Sequence, residues 1–200
     1  MQTKKRKIVF LIYNEVGGMM RVIAGKYKSI PLESLAGKHT RPTTDKVKES
    51  LFQMLGPFFP GGTMLDLYGG SGAIAIEAVS RGMEHAVIVE QNTKAQQVIT
   101  QNIKKVANES CFTLLKMPVN EAIKSQVGTF DLVFLDPPYA KEQLVKDMER
   151  LAKYERVKPG RVVVCETADN VSLPLQLATF KQITIRNYGL TNLYFYRNEV

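Results

Sequence analysis

The chain has 200 residues, of which 44% are apolar and 23% are charged. A chain of this length and apolar content can bury one sizeable core, so a disordered, collagen-like or low-complexity protein is excluded. The 27 Lys and Arg residues outnumber the 19 Asp and Glu residues, which gives a net charge of +8. This balance favours a polyanionic partner such as nucleic acid.

The excess of positive charge lies entirely in the first quarter of the chain. Residues 1–20 carry +3 and residues 21–48 carry +5, whereas residues 49–200 are neutral. The segment 21–48 is therefore the candidate contact with a polyanion. The alternative is that its basic side chains only form a solvated surface, in which case binding to nucleic acid would vary little with salt.

Residues 1–19 form a distinct N-terminal segment. Four basic residues, 4–7, precede an apolar run of six residues, 8–13. That run is shorter than the apolar core of a signal peptide and far below the roughly 20 residues of a membrane span. We therefore expect neither secretion nor membrane insertion, and 1–19 is either a translated upstream extension or an added edge strand.

Cysteine and histidine are scarce in this chain. Only Cys111, Cys165, His39 and His85 occur, at unrelated positions. They are too few for a disulfide scaffold or for a four-ligand zinc site. We expect a reducing, cytoplasmic environment and no structural metal.

Apolar periodicity predicts a regular alternation of elements after a short N-terminal hairpin. Four helices separate five short apolar runs, which is typical of a parallel α/β sheet with buried strands. The last two strands are joined by a turn without a helix, which predicts an antiparallel hairpin. The predicted elements are a hairpin at 21–33, a helix at 43–56, strands at 64–67, 86–89, 112–115, 132–135, 162–165, 183–185 and 193–196, and helices at 73–81, 93–106, 119–125 and 142–154.

A glycine-rich turn follows the first of these parallel strands. Asp66 lies near the end of the strand, and Gly69, Gly70 and Gly72 come shortly after it. Glycines allow a ligand to approach the backbone, and the next helix presents free N–H groups to it. The turn is not the dinucleotide G-x-G-x-x-G pattern, because Ala75 holds the third position. A tight strand-to-helix turn without a ligand is the alternative.

The second strand ends in Glu90, 24 residues after Asp66. An acidic residue at the tip of the second strand of such a unit is placed to accept hydrogen bonds from two ribose hydroxyls. A charged residue at a strand end is also where any chain meets solvent, so Glu90 alone is not decisive.

The fourth strand runs into Asp136-Pro137-Pro138-Tyr139. Ligands of open α/β sheets bind outside the carboxyl ends of the strands, and two prolines fix the backbone there. Asp136 and a neighbouring carbonyl can accept the hydrogens of an exocyclic base amine and orient its lone pair, while Tyr139 stacks on the base. The alternative, a rigid turn with an incidental Asp, does not explain the other two motifs.

Together these motifs resemble S-adenosylmethionine-dependent methyltransferases that modify exocyclic base amines. The chain is most similar to the RsmD-like bacterial enzymes that methylate N2 of a guanine in 16S ribosomal RNA. The resemblance runs over 20–197. It is carried by 20–25, Thr40-Arg41-Pro42-Thr43, Val47, Lys48, Glu49, Leu51, Phe52, Glu77-Ala78, Ser80-Arg81-Gly82, 136–139, Tyr188-Gly189 and Thr191.

The resemblance implies a Rossmann-like class I methyltransferase fold. Its central, mostly parallel sheet would have seven strands, an antiparallel C-terminal hairpin and helices on both faces. The implied organisation is an extension at 1–19, a basic hairpin and helix at 20–58, and the methyltransferase domain at 59–200.

The resemblance also implies the roles of individual residues. Family members often carry Asp where Pro118 stands here, so Asn120 or backbone groups would hold the adenine. Tyr68-Gly69 replaces the more usual Phe-Ala. The implied catalytic residues are Asp136, Pro137, Pro138 and Tyr139; the cofactor-binding residues are Asp66, Tyr68, Gly69, Gly70, Ser71, Gly72, Glu90, Gln91 and Asn120; the RNA-binding residues are Arg21, Lys26, Lys28, Lys38, Arg41 and Thr43.

The expected partner is ribosomal RNA, within the small subunit or its assembly intermediate, bound by a monomer. An adenine-N6 DNA methyltransferase is the first alternative, since Asp-Pro-Pro-Tyr serves both amines. The chain leaves little room for a separate target-recognition domain, which counts against it. The second alternative is a non-catalytic RNA-binding protein of ribosome assembly.

Overall fold

This computed structural model of the chain describes residues 20–35, 45–125, 128–138 and 140–200. The N-terminal extension lies outside the described residues, as do Lys38, Arg41, Thr43 and Tyr139.

The described chain alternates helices and strands in nearly the predicted order. The helices are α1 (Asp45–Leu55), α2 (Ala73–Ser80), α3 (Thr93–Lys105), α4 (Val119–Lys124) and α5 (Ala140–Lys153), with a 3₁₀ turn at Glu109–Cys111. The strands are β1 (Thr63–Asp66), β2 (His85–Val89), β3 (Phe112–Leu115), β4 (Phe130–Leu135), β5 (Val157–Ala168), β6 (Gln176–Leu177), β7 (Phe180–Asn187) and β8 (Thr191–Asn198).

All strands of the described residues join one sheet in the order β3-β2-β1-β4-β5-β8-β7-β6. The pairs from β3 to β5 are parallel, and the pairs from β5 to β6 are antiparallel. The α/β class and the antiparallel C-terminal hairpin are confirmed. The predicted number of seven strands is wrong: the described part of the chain has eight, because the short strand β6 adds an edge next to β7.

Helices cover both faces of the sheet. Residues of α1, α2 and α3 pack with Phe134 of β4 and Phe195 of β8 on one face. Residues of α4 and α5 pack with Leu135 and Tyr194 on the other face. Neighbouring strand residues thus alternate between the two cores, as strand geometry requires.

The N-terminal hairpin is fastened to α2, the helix that follows the glycine turn. A bridge between Arg21 and Pro31 closes the hairpin. The fully buried carboxylate of Glu77 accepts hydrogen bonds from the amides of Ile23 and Ala24, at 2.8 and 2.9 Å. A buried carboxylate with several donors is stable only while those donors stay in place, so this contact ties the hairpin to α2.

Lys48 lies in the protein interior, although it belongs to the basic segment 21–48 that was expected to contact a polyanion. Only 1% of its side chain is exposed. Its Nζ donates to the carbonyl of Arg21 at 2.5 Å and lies 3.7 Å from Oε2 of Glu77. Burial lowers the pKa of Lys48, whereas the charge of Glu77 acts in the opposite direction. One of the charges counted in 21–48 is therefore internal and holds α1 to the hairpin and α2.

The tip of the hairpin contacts the C-terminal end of α2. The amide of Lys26 donates to the carbonyl of Ser80, and the amide of Tyr27 donates to its hydroxyl. Gly25 has φ +84°, and a Cβ there would lie 1.8 Å from the Ser80 carbonyl oxygen. A side chain at position 25 is therefore incompatible with this contact.

The carboxyl edge of the parallel strands brings the acidic residues of the sequence motifs together. Asp66 ends β1, while Glu90 and Asp136 directly follow β2 and β4. Because β1 lies between β2 and β4, these three side chains occupy neighbouring strand ends. The turn between β7 and β8 lies at the same edge, since Ala168 pairs with Thr191.

Candidate active site

The glycine turn is built so that its backbone faces a ligand. Gly70 and Gly72 have φ of +55° and +78°, and the amide of Gly72 donates to the carbonyl of Gly69 at 2.6 Å. A Cβ on Gly69 would lie 2.4 Å from Cγ2 of Ile88, whereas a Cβ on Gly70 would meet nothing nearer than 3.9 Å. Close packing behind the turn and open space before it leave room for a ligand. The N-cap residue of α2 is Gly72, which has no side chain to cap the helix, and the amide of Ala75 in the first turn is bonded to the carboxylate of Asp66.

Glu90 is held in place by the turn beside it. Its Oε2 accepts the amide of Gly70 at 3.0 Å, and its Oε1 accepts the amide of Asn92 at 2.7 Å. The side chain of Asn92 in turn caps α3 by accepting from the amides of Lys94 and Ala95. Each carboxylate oxygen of Glu90 keeps further acceptor capacity, which suits a pair of ribose hydroxyls.

Asp66 is a buried carboxylate at the end of β1, with 2% of its surface exposed. Burial raises its pKa to about 7, and the neighbouring charge of Asp136 adds to the rise. Hydrogen bonds from the backbone of Tyr68 and Ala75 act in the opposite direction. Asp66 therefore carries a charge near neutral pH at considerable electrostatic cost.

Asp136 stands one strand away from Asp66, after the end of β4. Its side chain reaches the surface, while the buried Pro137 follows it. The protein around its carboxyl group displaces enough water to raise the pKa to about 6. Two carboxylates that disfavour each other's charge attract a cation, because a positive ligand relieves both.

Tyr68 turns its hydroxyl towards α5. That hydroxyl donates to Oδ2 of Asp147 at 2.5 Å, and Asp147 is fully buried. Gln143 and Arg150 donate to the same carboxylate. Burial and the bond to Asp147 raise the pKa of Tyr68. A contact of Tyr68 with a cofactor would therefore come from its ring or backbone.

The other predicted cofactor residues lie at the same edge in differing surroundings. Ser71 is half-buried in the glycine turn, and Gln91 is exposed directly after Glu90. Pro118 precedes α4 as its N-cap residue, and Asn120 is half-buried in the first turn of that helix. Asn120 is the first polar residue after Pro118 in the sequence.

Three buried polar residues were missed by the sequence analysis as contributors to the site's framework. They are Glu77, Asn102 and Asp147, each fully buried on a helix. A signal existed at Asn102, where a polar residue lies at helical spacing with the apolar Ile99 and Ile103. Such a residue must satisfy its hydrogen bonds inside the protein, which marks it as a connection between segments.

Neither a metal cluster nor a membrane span is present in the described ranges. No group of three or more His, Cys, Asp and Glu residues there is placed to hold a metal ion. Among the same residues, no helix has the length and apolarity needed to cross a bilayer.

The fold is that of class I methyltransferases. Three features lie at one edge of the sheet, namely the glycine turn before α2, the acidic residue Glu90 after β2, and the carboxylates of Asp66 and Asp136 at adjacent strand ends. The family model described as "Conserved hypothetical protein 95" matches residues 20–197. The chain belongs to this family.

Individual relatives support the same assignment. The chain is 38% identical over 182 residues to "Putative rRNA methyltransferase YlbH" of Bacillus subtilis, covering 89% of this chain and 98% of that protein. It is 29% identical over 192 residues to "Ribosomal RNA small subunit methyltransferase D" of Haemophilus influenzae, covering 90% and 95%. A solved structure of a conserved hypothetical protein from Streptococcus pyogenes is 50% identical, with a TM-score of 0.73, and the match covers 76% and 96%.

The raised pKa of Asp66 predicts that cofactor binding weakens in mild acid. A cationic cofactor favours the ionised carboxylate, so below pH 7 a proton must leave before it binds. We expect the affinity for S-adenosylmethionine to be about tenfold lower at pH 6 than at pH 8, measured by calorimetry. Asp66→Asn should bind weakly at both pH values; a variant that keeps the wild-type pH dependence would contradict the role of Asp66.

Proposed function

We propose that the chain transfers a methyl group from S-adenosylmethionine to the exocyclic N2 of a guanine in small-subunit ribosomal RNA. The observation that supports this proposal is the position of Asp136 directly after β4. The neighbouring strand, β1, ends in Asp66 and leads into the glycine turn. The names of the curated relatives supply the ribosomal substrate.

The residues at the carboxyl edge fit this cofactor. The open space before Gly70 suits the approach of its amino-acid part. Glu90 would accept the ribose hydroxyls, and Asp66 would lie near the positive charge. When bound there, S-adenosylmethionine supplies an electrophilic methyl group on its sulfonium.

Asp136 would prepare the base rather than attack it. The lone pair of an exocyclic amine is delocalised into the ring, so the amine is a poor nucleophile. By accepting one of its N–H groups, the carboxylate of Asp136 would hold the amine with its lone pair towards the methyl group. As the N–C bond forms and the C–S bond breaks, the amine loses one proton, to Asp136 or to water. A pKa of about 6 leaves Asp136 mostly ionised at neutral pH and able to accept hydrogen bonds.

Tyr139 would stack on the same base, by its position next to Pro138 in the sequence. The two prolines keep the backbone of this segment rigid, so the base would be held between fixed groups.

The basic hairpin would supply contacts to RNA phosphates at a distance from the chemistry. Arg21, Lys26 and Lys28 are exposed. The amide of Lys26 bonds to Ser80, at the end of α2 opposite the glycine turn, and a helix of eight residues is about 12 Å long. Contacts at this tip would bind RNA away from the target base, and Lys38, Arg41 and Thr43, which precede α1 in the sequence, remain proposed RNA contacts. We further propose that the enzyme works as a cytoplasmic monomer without a metal.

The direct test is methyl transfer from labelled S-adenosylmethionine. Small ribosomal particles that lack the modification, naked 16S RNA and adenine-containing DNA are compared as substrates. The expected result is label in the RNA, recovered as N2-methylguanosine by nucleoside mass spectrometry. Label in DNA as N6-methyladenine would favour the alternative enzyme, and active cofactor binding without any label would favour a non-catalytic RNA-binding protein.

Asp136→Ala should keep cofactor binding and lose turnover. Removing the acceptor that positions the amine is expected to lower kcat by about 10²-fold or more, with the affinity for S-adenosylmethionine within about threefold. Asp131→Ala is the matched control, since Asp131 lies at the other end of β4, where it pairs with Lys158 and Arg161. Normal turnover in Asp136→Ala would exclude the proposed role, and an equal loss in both variants would attribute it to the fold.

Replacing Lys26 and Lys28 together by Ala should weaken RNA binding without slowing the chemistry. We expect a higher KM for the RNA substrate, an unchanged kcat, and a log–log salt dependence of RNA binding that is shallower by about two. The double variant Lys124→Ala and Lys146→Ala removes two exposed lysines from helices on the opposite face and serves as the control. Equal behaviour of the two double variants would show that the hairpin lysines are only a solvated surface.

A further inference from the structure

Asn102 has a fully buried amide side chain that contacts both the N-terminal hairpin segment and the glycine turn. It lies on α3, and none of its surface is exposed. The apolar Ile103 beside it packs into the core of the same face. A buried primary amide in such surroundings is costly unless its donors and its acceptor are satisfied.

Two segments of the chain satisfy this amide. Oδ1 of Asn102 accepts the amide of Glu33 at 2.7 Å, and Nδ2 donates to the carbonyl of Glu33 at 2.9 Å. The second hydrogen of Nδ2 goes to the carbonyl of Ser71, also at 2.9 Å. Both donors of the amide are thus used, one on the N-terminal hairpin segment and one on the glycine turn.

The backbone at Ser71 has few restraints from within the glycine turn itself. Ser71 lies between Gly70 and Gly72, which both have left-handed backbone conformations. Because glycine can adopt other backbone conformations at low cost, the two glycines alone do not fix the peptide between them. Its side chain offers only a weak contact, from Oγ to Sδ of Met20 at 3.6 Å. The bond from Asn102 therefore restrains the orientation of the peptide that separates the two glycines.

We propose that Asn102 is a positioning residue for the cofactor. Through the carbonyl of Ser71 it holds the turn with its amides aimed at the ligand, and through Glu33 it fixes that turn to the end of the basic hairpin. Asn102 itself need not touch the cofactor. This inference rests on the proposed use of the glycine turn for S-adenosylmethionine and adds a residue that no sequence motif contains.

The test compares two substitutions of Asn102 with a neighbour on the same helix. Asn102→Ala removes all three hydrogen bonds. Asn102→Asp keeps the shape and the acceptor for the amide of Glu33, but as a carboxylate it donates neither to the carbonyl of Ser71 nor to that of Glu33. Ile103→Ala is the matched control, because it opens a cavity in the same core without touching a polar contact of the turn. Calorimetry gives the affinity for S-adenosylhomocysteine, and methyl-transfer kinetics give the KM for S-adenosylmethionine and kcat.

If Asn102 positions the glycine turn, its substitution should weaken cofactor binding and leave the rate of the chemical step nearly unchanged. Both Asn102 variants should bind S-adenosylhomocysteine about tenfold or more weakly and raise the cofactor KM in parallel, with kcat at saturating cofactor within about threefold. Ile103→Ala should change the affinity by less than about threefold even when its melting temperature falls equally.

Three results would overturn the proposal. They are unchanged affinity in the Asn102 variants, an equal loss of affinity in Ile103→Ala, and failure of both Asn102 variants to fold, which would make the residue purely structural. The binding measurement needs no RNA. Failure of the proposed function would instead be seen as wild-type protein that binds the cofactor but transfers no methyl group to ribosomal RNA.

Discussion

The structure holds the carboxylates of Asp66 and Asp136 at adjacent strand ends, where the ionised form of each is disfavoured. Burial and the charge of Asp136 raise the pKa of Asp66 to about 7, and loss of water around its carboxyl group raises the pKa of Asp136 to about 6. Between about pH 4 and pH 7 the folded chain binds more protons at these groups than the unfolded chain, so their contribution to stability falls as the pH rises. The packing of the two cores offsets the unfavourable free energy of ionising these two carboxylates. A cationic ligand would reduce that unfavourable free energy.

The surroundings of the carboxylates are fixed by buried polar side chains rather than by the sheet alone. Glu77 fastens the N-terminal hairpin to α2, Asn102 fastens it to the glycine turn, and Asp147 connects α5 with Tyr68 in the same turn. Each connection joins segments that are far apart in the sequence. A buried polar group with satisfied bonds restricts geometry more strongly than apolar contact does, which suits a site where small displacements reduce the rate.

Sequence patterns were sufficient for the parts of the fold that have a period or a fixed local chemistry. The strand at Phe112–Leu115 and the start of α2 at Ala73 agree with their predicted positions, and the acidic motifs do lie at one edge. β6 was missed because two residues carry no period. The partners of Lys48 and Asn102 could not be predicted, since Glu77, Glu33 and Ser71 become their neighbours only through the packing of α1, α2 and α3.

In the proposed site, the positive charge of the cofactor balances the negative charge at the carboxyl edge. Calorimetry of S-adenosylmethionine binding at pH 6.5, in buffers with different ionisation enthalpies, measures the protons exchanged. With pKa values of about 7 for Asp66 and about 6 for Asp136, we expect release of about one proton per cofactor bound, and less with the uncharged sulfur of S-adenosylhomocysteine. Binding of S-adenosylmethionine without proton release would contradict it.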